Sequence, residues 1–300
     1  MKRLILKTLG FLVFTCGMYV CLTGFYYQNP QLKTRWNQGI PNWIPESNLA
    51  QHLSVFEAFC QEKTANRINL ILGSSTALHG ISPEYLGDNW YSLATRGQHP
   101  AASEIILDLA LAIAKDANVG IDTLMIDVYP EFSQEWVYAK SDAYEHMALT
   151  LNVHQILRKG RQVFVGGGFR RLHNALSYRL FAPKIEFSSI DRIHGYEMHP
   201  DTVYNYVPPL PWDGLIHRDC QSALQRFGKK ENTTIFICPP VLHENHCEEV
   251  SRRLGPLEEV IWLDANDNLA IRDSNYFFDD HHLNHNGAIQ NTLWIQSQLR

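Results

Sequence analysis

The stretch Ile68-Asn69-Leu70-Ile71-Leu72-Gly73-Ser74-Ser75 passes directly from apolar residues into small and hydroxyl-bearing ones. A short apolar run bounded by a turn signal is typical of a parallel strand that is buried on both faces. The glycine and serines that follow predict a turn into a helix, because serine is a favoured helix N-cap. The segment therefore predicts the first strand-turn-helix unit of an α/β domain.

The same alternation continues along the chain. Strands are predicted at 68–72, 90–93, 123–128, 234–238 and 260–263, and helices at 49–63, 101–117 and 287–299. Alternating strands and helices predict a parallel sheet that is covered on both faces. Ligands of such sheets bind beyond the carboxyl ends of the strands, where Ser75, Gly97 and the Tyr129-Pro130 turn lie. Residues 133–218 fit the alternation less well and are interpreted as a partly helical insertion that forms a substrate lid.

Composition narrows the classes of function. The 300 residues are 45% hydrophobic and 19% charged, which is ordinary for a globular protein. The net charge is −5 and the basic residues are scattered, which argues against nucleic acid as a partner. Because no cysteine and histidine spacing is typical of a zinc site, the sequence predicts neither a metal nor another cofactor.

The amino terminus has the pattern of a membrane anchor. Lys2, Arg3 and Lys7 precede an uncharged stretch whose apolar part covers 8–27, and about 20 helical residues span the ~30 Å hydrocarbon core. The basic flank predicts a cytoplasmic amino terminus. A cleaved signal peptide is the alternative, although 22–26 lacks a small-x-small cleavage site; a lipoprotein cleavage box at Cys16 is a weaker match.

This interpretation divides the chain into a cytoplasmic tail (1–7), a transmembrane signal anchor (8–27), a membrane-proximal connector (28–65) and a domain (66–300) outside the cytoplasm. Cysteines beyond the anchor then face oxidising surroundings, where disulfides form. Cys220 and Cys247 are one candidate pair, and buried free thiols are the alternative, because sequence cannot assign connectivity.

A second informative segment, Asp279-Asp280-His281-His282-Leu283-Asn284, precedes the last predicted helix. The three-residue spacing allows the Asp279 carboxylate to orient the His282 imidazole, which is what a serine nucleophile requires of its base. Together with Ser75 these residues suggest an acyl-transfer site. Asp280, His281 and His285 are rivals for the same roles, and a hydrated surface turn is the non-functional alternative.

Gly73-Ser74-Ser75, Gly97 and the 279–284 segment resemble the first, second and fifth blocks of the SGNH (GDSL-like) hydrolase superfamily. The resemblance covers residues 67–300 and is closest to the membrane-anchored, extracytoplasmic branch whose first block reads Gly-Ser-Ser. That branch is similar to proteins that acylate cell-envelope polymers. The resemblance implies a three-layer flavodoxin-like fold without a cofactor.

Carried over by position, the resemblance makes Ser75 the nucleophile, His282 the general base and Asp279 its orienting carboxylate. It implies an oxyanion hole formed by the backbone N–H groups of Ser75 and Gly97. The chain departs from the superfamily at the third block, Gly-x-Asn-Asp, where it has Asp127, which cannot donate a hydrogen bond while ionised. Arg96 and His99 are candidate substrate contacts.

The expected function is that of a serine acyltransferase or esterase acting on O-acyl groups of a cell-envelope glycan or polymer. The expected location is the inner or plasma membrane, single-pass, with the domain in the periplasm of a Gram-negative host. A membrane-bound acyl donor protein is a candidate partner. The alternatives are a non-catalytic envelope-assembly or polymer-binding protein that retains the scaffold, and a plain lipase or esterase.

Overall fold

A computed structural model of the chain describes residues 66–130, 214–228, 233–243, 246–257 and 259–300, the helix at 49–62, and isolated positions within 8–21 and 195–206. The chain divides into two compact units, one of Leu49–Ala143 with Ser188–Arg300 and the other of Met1–Asn48 with Tyr144–Phe187. The strands of the sheet and the helices from residue 49 onward belong to the first unit.

The predicted membrane anchor is only partly described. The described positions between Thr8 and Cys21 are helical. Within the described part of the chain, no helix is both long enough and apolar enough to cross a membrane. The remaining positions of the anchor (8–27), most of the connector and most of the 133–218 insertion lie outside the described residues.

Five parallel strands form one sheet in the order β2-β1-β3-β4-β5. Their bounds are β1 Arg67–Leu72, β2 Trp90–Ser92, β3 Gly120–Asp127, β4 Thr233–Cys238 and β5 Val260–Asp264. The predicted α/β class and parallel sheet are therefore confirmed. β3 begins before the predicted Thr123, because Gly120 and Ile121 pair with the start of β1 although Gly-Ile-Asp is not a strand-like pattern.

Seven α-helices are described between residue 49 and the carboxyl terminus: α1 Leu49–Glu62, α2 Ser75–Gly80, α3 Pro83–Leu86, α4 Pro100–Asp116, α5 Arg218–Phe227, α6 Cys247–Leu254 and α7 His285–Gln298. They pack in two groups, since α4 contacts α1 and α5, whereas α7 contacts α2 and α3. The sequence did not predict α5 and α6, because both helices are short and mostly polar and bury only a narrow stripe of residues.

Helix α1 belongs to the same unit as the sheet, although the sequence placed its residues in the connector. The Phe56 and Phe59 rings lie 5.1 and 4.9 Å from the ring of Tyr91 on edge strand β2. These aromatic contacts bury one side of α1: Phe56 is 0% exposed and Tyr91 is 1% exposed. The domain therefore begins before residue 66.

A disulfide joins Cys238, at the end of β4, to Cys247, at the start of α6, with the two Cα atoms 6.0 Å apart. The candidate pair Cys220–Cys247 is not formed. Cys220 is a buried free thiol in α5, and burial raises its pKa to about 12. The structure thus combines the two alternatives that the sequence left open, a bridge and a buried free thiol.

We predict that replacing both Cys238 and Cys247 with serine lowers the free energy of unfolding by about 2–3 kcal/mol, because the bridge restricts the unfolded chain. Urea titrations with and without dithiothreitol measure the change. Reduction should destabilise the wild type by the same amount and leave the double variant unaffected. Equal stability of the oxidised wild type and the variant would contradict the prediction.

Candidate active site

The site lies at the edge of the sheet where the parallel strands end. Gly73 follows β1, and its carbonyl accepts a 3.0 Å hydrogen bond from the N–H of Thr95, which follows β2. Asp127, the last residue of β3, contacts Ser74 at the same edge. The structure therefore brings together the ends of three strands, as expected for a parallel sheet.

Ser75 is the first residue of helix α2. Ser74 is the N-cap, and its side chain accepts the N–H of Thr76 at 3.4 Å. The N–H of Ser75 has no intrahelical acceptor, because the first N–H groups of a helix point beyond its end. Ser75 is 8% exposed, so the side chain is largely enclosed but still reaches the surface of the site.

Ser75, His282 and Asp279 form a continuous chain of hydrogen bonds. His282 Nε2 lies 2.8 Å from Ser75 Oγ, and His282 Nδ1 lies 2.8 Å from Asp279 Oδ2. The network is satisfied if Nδ1–H donates to the carboxylate and Nε2 accepts from the serine hydroxyl, which is an assignment of the tautomer from its partners. This is the geometry of a nucleophile, a base and an orienting carboxylate.

The turn that carries the base is held by its own backbone. Asp279 Oδ1 accepts the N–H of His282 at 2.8 Å and the N–H of His281 at 3.1 Å. Phe277 and Leu283 pair across the turn, and Asn284 then caps α7 by accepting the N–H of Gly287 at 2.9 Å. These contacts fix both the carboxylate and the imidazole on one short segment.

Electrostatics keep the orienting carboxylate charged. Burial favours the neutral acid, but the hydrogen bond from His282 and the charges of His282 and His281 hold the pKa of Asp279 well below its ordinary value of 3.8. Burial, aided by His282, lowers the pKa of His281 to about 4. At neutral pH the turn therefore contains an ionised Asp279 beside a neutral His281.

The three rival residues of this turn have other partners. Asp280 accepts a hydrogen bond from the hydroxyl of Tyr204. The His281 ring stacks on Tyr129 with centroids 5.7 Å apart, and His285 Nδ1 lies 3.4 Å from Tyr196 Oη. His282 is the described imidazole that hydrogen-bonds Ser75 Oγ, as the sequence predicted.

Gly97 lies in the turn between β2 and α4, and its φ of +68° is a conformation that favours glycine. The turn is tied to the helix by Thr95 Oγ1, which donates to Gln98 Oε1 at 2.9 Å, and by Gln98 Nε2, which donates to Ser103 Oγ at 2.9 Å. Because β1 and β2 are neighbours in the sheet, Gly97 and Ser75 lie on neighbouring turns of one edge.

The two candidate substrate contacts differ in exposure. Arg96 is half-buried in the turn before Gly97. His99 is 0% exposed, caps α4 and has its Nδ1 4.0 Å from Cys220 Sγ. The contact of either side chain with a substrate stays a prediction.

Asp127 is a site residue whose role the sequence did not reveal. Its buried Oδ2 accepts the N–H of Ser74 at 3.1 Å, the hydroxyl of Ser74 at 2.7 Å and that of Thr76 at 2.6 Å. Gly73 must be glycine here, because a Cβ would lie 2.2 Å from Asp127 Cβ. In the sequence, the hydroxyl residues Ser74 and Thr76 on both sides of Ser75 were the feature that could have indicated a buried hydrogen-bond acceptor nearby.

No protein-family model matches this chain, and no curated protein is similar enough to count as a relative.

Proposed function

We propose that the protein is an SGNH-type serine acyltransferase or esterase that acts outside the cytoplasm on O-acyl groups of a glycan or envelope polymer. One observation carries the proposal: His282 bridges Ser75 Oγ and Asp279 Oδ2 with two 2.8 Å hydrogen bonds. The strand order 2-1-3-4-5 is that of flavodoxin-like sheets, which supports the three-layer flavodoxin-like arrangement expected of this superfamily.

In the first half of the reaction, Ser75 Oγ attacks the acyl carbonyl carbon and His282 Nε2 takes the hydroxyl proton. Ionised Asp279 stabilises the imidazolium that forms. The N–H groups of Ser75 and Gly97 donate to the negative oxygen of the tetrahedral intermediate, and each such donor typically contributes about 10²–10³ in rate. The intermediate collapses when His282 returns the proton to the leaving oxygen, which leaves the acyl group on Ser75.

In the second half, His282 takes a proton from a sugar hydroxyl or from water, and that oxygen attacks the acyl-serine carbonyl. Collapse of the second intermediate returns the proton to Ser75 Oγ and releases the acylated acceptor or the free acid. The acceptor that reaches the acyl-enzyme decides between transfer and hydrolysis. Anchoring beside a membrane-delivered donor or a growing polymer favours transfer.

Two observations support an extracytoplasmic location. The Cys238–Cys247 disulfide is of a kind that persists in oxidising compartments and is rare in the cytosol. The basic residues before the uncharged 8–27 segment match a signal anchor that leaves the domain outside. The envelope polymer as substrate rests on the resemblance to the polymer-acylating branch.

A fluorophosphonate probe tests the catalytic proposal on the full chain. We expect stoichiometric labelling of the wild type, and no labelling of Ser75→Ala, because the probe reacts with an activated serine hydroxyl. Ser297→Ala is the matched control, because Ser297 is an exposed serine in α7 and its loss should leave labelling unchanged. Peptide mass spectrometry should locate the adduct on Ser75.

A nitrophenyl acetate assay separates transfer from hydrolysis. Faster nitrophenolate release with an oligosaccharide acceptor, together with acetylated oligosaccharide, indicates transfer. A rate that is independent of the acceptor indicates hydrolysis.

The alternative is a non-catalytic polymer-binding protein on the same scaffold. It is favoured by Asp127, whose buried carboxylate stands where the superfamily has an oxyanion-donating asparagine. Absence of labelling in the wild type, together with full function of Ser75→Ala in cells, would replace the catalytic proposal with this one.

A further inference from the structure

The His281 imidazole lies beside the triad, and the proposed chemistry does not use it. Its Nδ1 atom is buried and has no hydrogen-bond partner among the residues that the structure describes. This nitrogen lies 3.6 Å from Asp279 Oδ1, and the rings of His281 and His282 have centroids 4.1 Å apart. A buried polar atom without a partner is costly, so the position is suited to a ligand that the nitrogen can bind.

We propose that Asp279, His281 and His282 together bind a divalent transition-metal ion, best matched by zinc, and that the bound ion switches the triad off. The inhibitory part of this inference rests on the proposed function. One donor atom from each of the three side chains lies within 4.8 Å of the others. Two imidazole nitrogens and one carboxylate oxygen form a zinc-type ligand set that leaves a fourth position open.

The distances suit a small ion. With bonds of about 2.0–2.1 Å, two ligand atoms on a tetrahedral zinc ion lie about 3.3–3.4 Å apart. His281 Nδ1 and Asp279 Oδ1 are 3.6 Å apart, and His282 Nδ1 and Asp279 Oδ1 are 3.0 Å apart. The full set lies within 4.8 Å, so side-chain rotations are needed to bring all three donors to tetrahedral distances. Magnesium and calcium prefer oxygen ligands, and two of the three donors here are nitrogens.

Zinc at this position would remove the base by a change of tautomer. In the metal-free triad, the single proton of neutral His282 sits on Nδ1, and the Nε2 lone pair accepts the proton of Ser75. A metal bound through Nδ1 uses the lone pair of that nitrogen, so the ring proton must move to Nε2. Nε2 then only donates, and Ser75 has no acceptor for its proton. His282 neither gains nor loses a proton in this exchange.

His281 is the proposed ligand that is not itself a member of the triad. Its ring stacks on Tyr129 and also lies beside the His282 ring, with centroids 4.1 Å apart. His281→Phe keeps an aromatic ring against Tyr129 and has no nitrogen. His281→Gln is a second variant in case the phenyl ring disturbs folding.

The experiment uses full-length protein with zinc chloride as the probe, read by calorimetry and by the rate of fluorophosphonate labelling. A general base typically contributes about 10²–10⁴-fold, so we expect saturating zinc to slow labelling of the wild type by about 10²-fold or more. Chelation with EDTA should restore the rate, and magnesium chloride should have no effect. His281→Phe should label at the same rate with and without zinc and should bind one zinc equivalent fewer.

His285→Phe is the matched control for loss of a nearby histidine, and it should keep both zinc binding and zinc inhibition. The inference is overturned if zinc leaves wild-type labelling unchanged, or if both His281 variants retain the wild-type zinc stoichiometry. If the metal-free wild type does not label at all, the proposed function fails. Calorimetry on the His281 variants then still decides whether the metal site exists.

Discussion

Replacing His282 with alanine is expected to slow fluorophosphonate labelling of Ser75 by about 10³–10⁴-fold, because the serine hydroxyl loses its proton acceptor. The expectation follows from the 2.8 Å separation of His282 Nε2 and Ser75 Oγ. Asp279→Asn should cause a loss of similar size. An amide cannot stabilise the imidazolium, and it can hold the ring in the wrong tautomer. Labelling rates at neutral pH under single-turnover conditions measure both effects.

The two changes should not add. The three side chains act as a unit, so the double variant is expected to label about as slowly as the slower single variant. His285→Ala tests the choice among neighbouring histidines, because His285 contacts Tyr196 instead of Ser75, and its rate should stay close to that of the wild type. If His285→Ala slowed labelling as much as His282→Ala, the assignment of His282 as the base would be wrong.

Asp127→Ala is expected to lower the free energy of unfolding by about 2–4 kcal/mol, because three donors lose their buried acceptor. Two of these donors belong to Ser74 and one to Thr76, on either side of the nucleophile. Labelling of Ser75 should also slow by about 10²-fold, since a shift of about 1 Å in a reacting group can cost that much. Urea titration and the labelling rate measure the two effects separately.

Asp122→Ala is the matched control on the same strand. Asp122 pairs with Arg67 at 2.6 Å, but both side chains are well exposed, so the expected loss is only about 0–1 kcal/mol. Equal effects of Asp122→Ala and Asp127→Ala on stability and labelling would refute the proposed support of Ser75 by Asp127.

The pH dependence of stability distinguishes Asp127 from Asp279. Burial raises the pKa of Asp127 above 3.8 against the opposing hydrogen bonds from Thr76 and Ser74. The stability that Asp127 contributes is therefore full below pH 3.8 and is lost as pH rises through its folded-state pKa. Asp279 has a lowered pKa, so its contribution is present above pH 3.8 and is lost as pH falls. Asp127→Asn should weaken the first dependence, to which Asp280 also contributes because burial raises its pKa, and Asp279→Asn should weaken the second, in urea titrations across this range.

The sequence was sufficient for features that depend on neighbouring residues. The apolar run ending at Leu72 predicted a strand, and Gly73 with two serines predicted the turn into a helix. Asp279 and His282 are three residues apart, so their pairing needed only one turn. Local periodicity and capping preferences decide such features, and the five predicted strands and the helices at 49–63, 101–117 and 287–299 correspond closely to those of the structure.

Features that depend on distant residues were beyond the sequence. Polar helices α5 and α6 form because tertiary contacts bury a narrow stripe, which includes Leu224 and Val250. The disulfide joins Cys238 to Cys247 because the end of β4 and the start of α6 meet in space, whereas Cys220 is buried elsewhere.

By itself, the sequence determined that Ser75 follows a buried strand and that one carboxylate could orient one imidazole before the last helix. Only the tertiary structure brought the two segments together to 2.8 Å, across a sequence separation of 207. The tertiary structure also showed what Asp127 does in place of an asparagine donor. It is a buried hydrogen-bond acceptor for Ser74 and Thr76, the two neighbours of Ser75. The physical reason is that hydrogen bonds and burial depend on distance in space, which local sequence patterns do not record. The pairing of β1 with β3 places Asp127 beside Ser74, and the packing of α7 against α2 brings their two amino-terminal segments together.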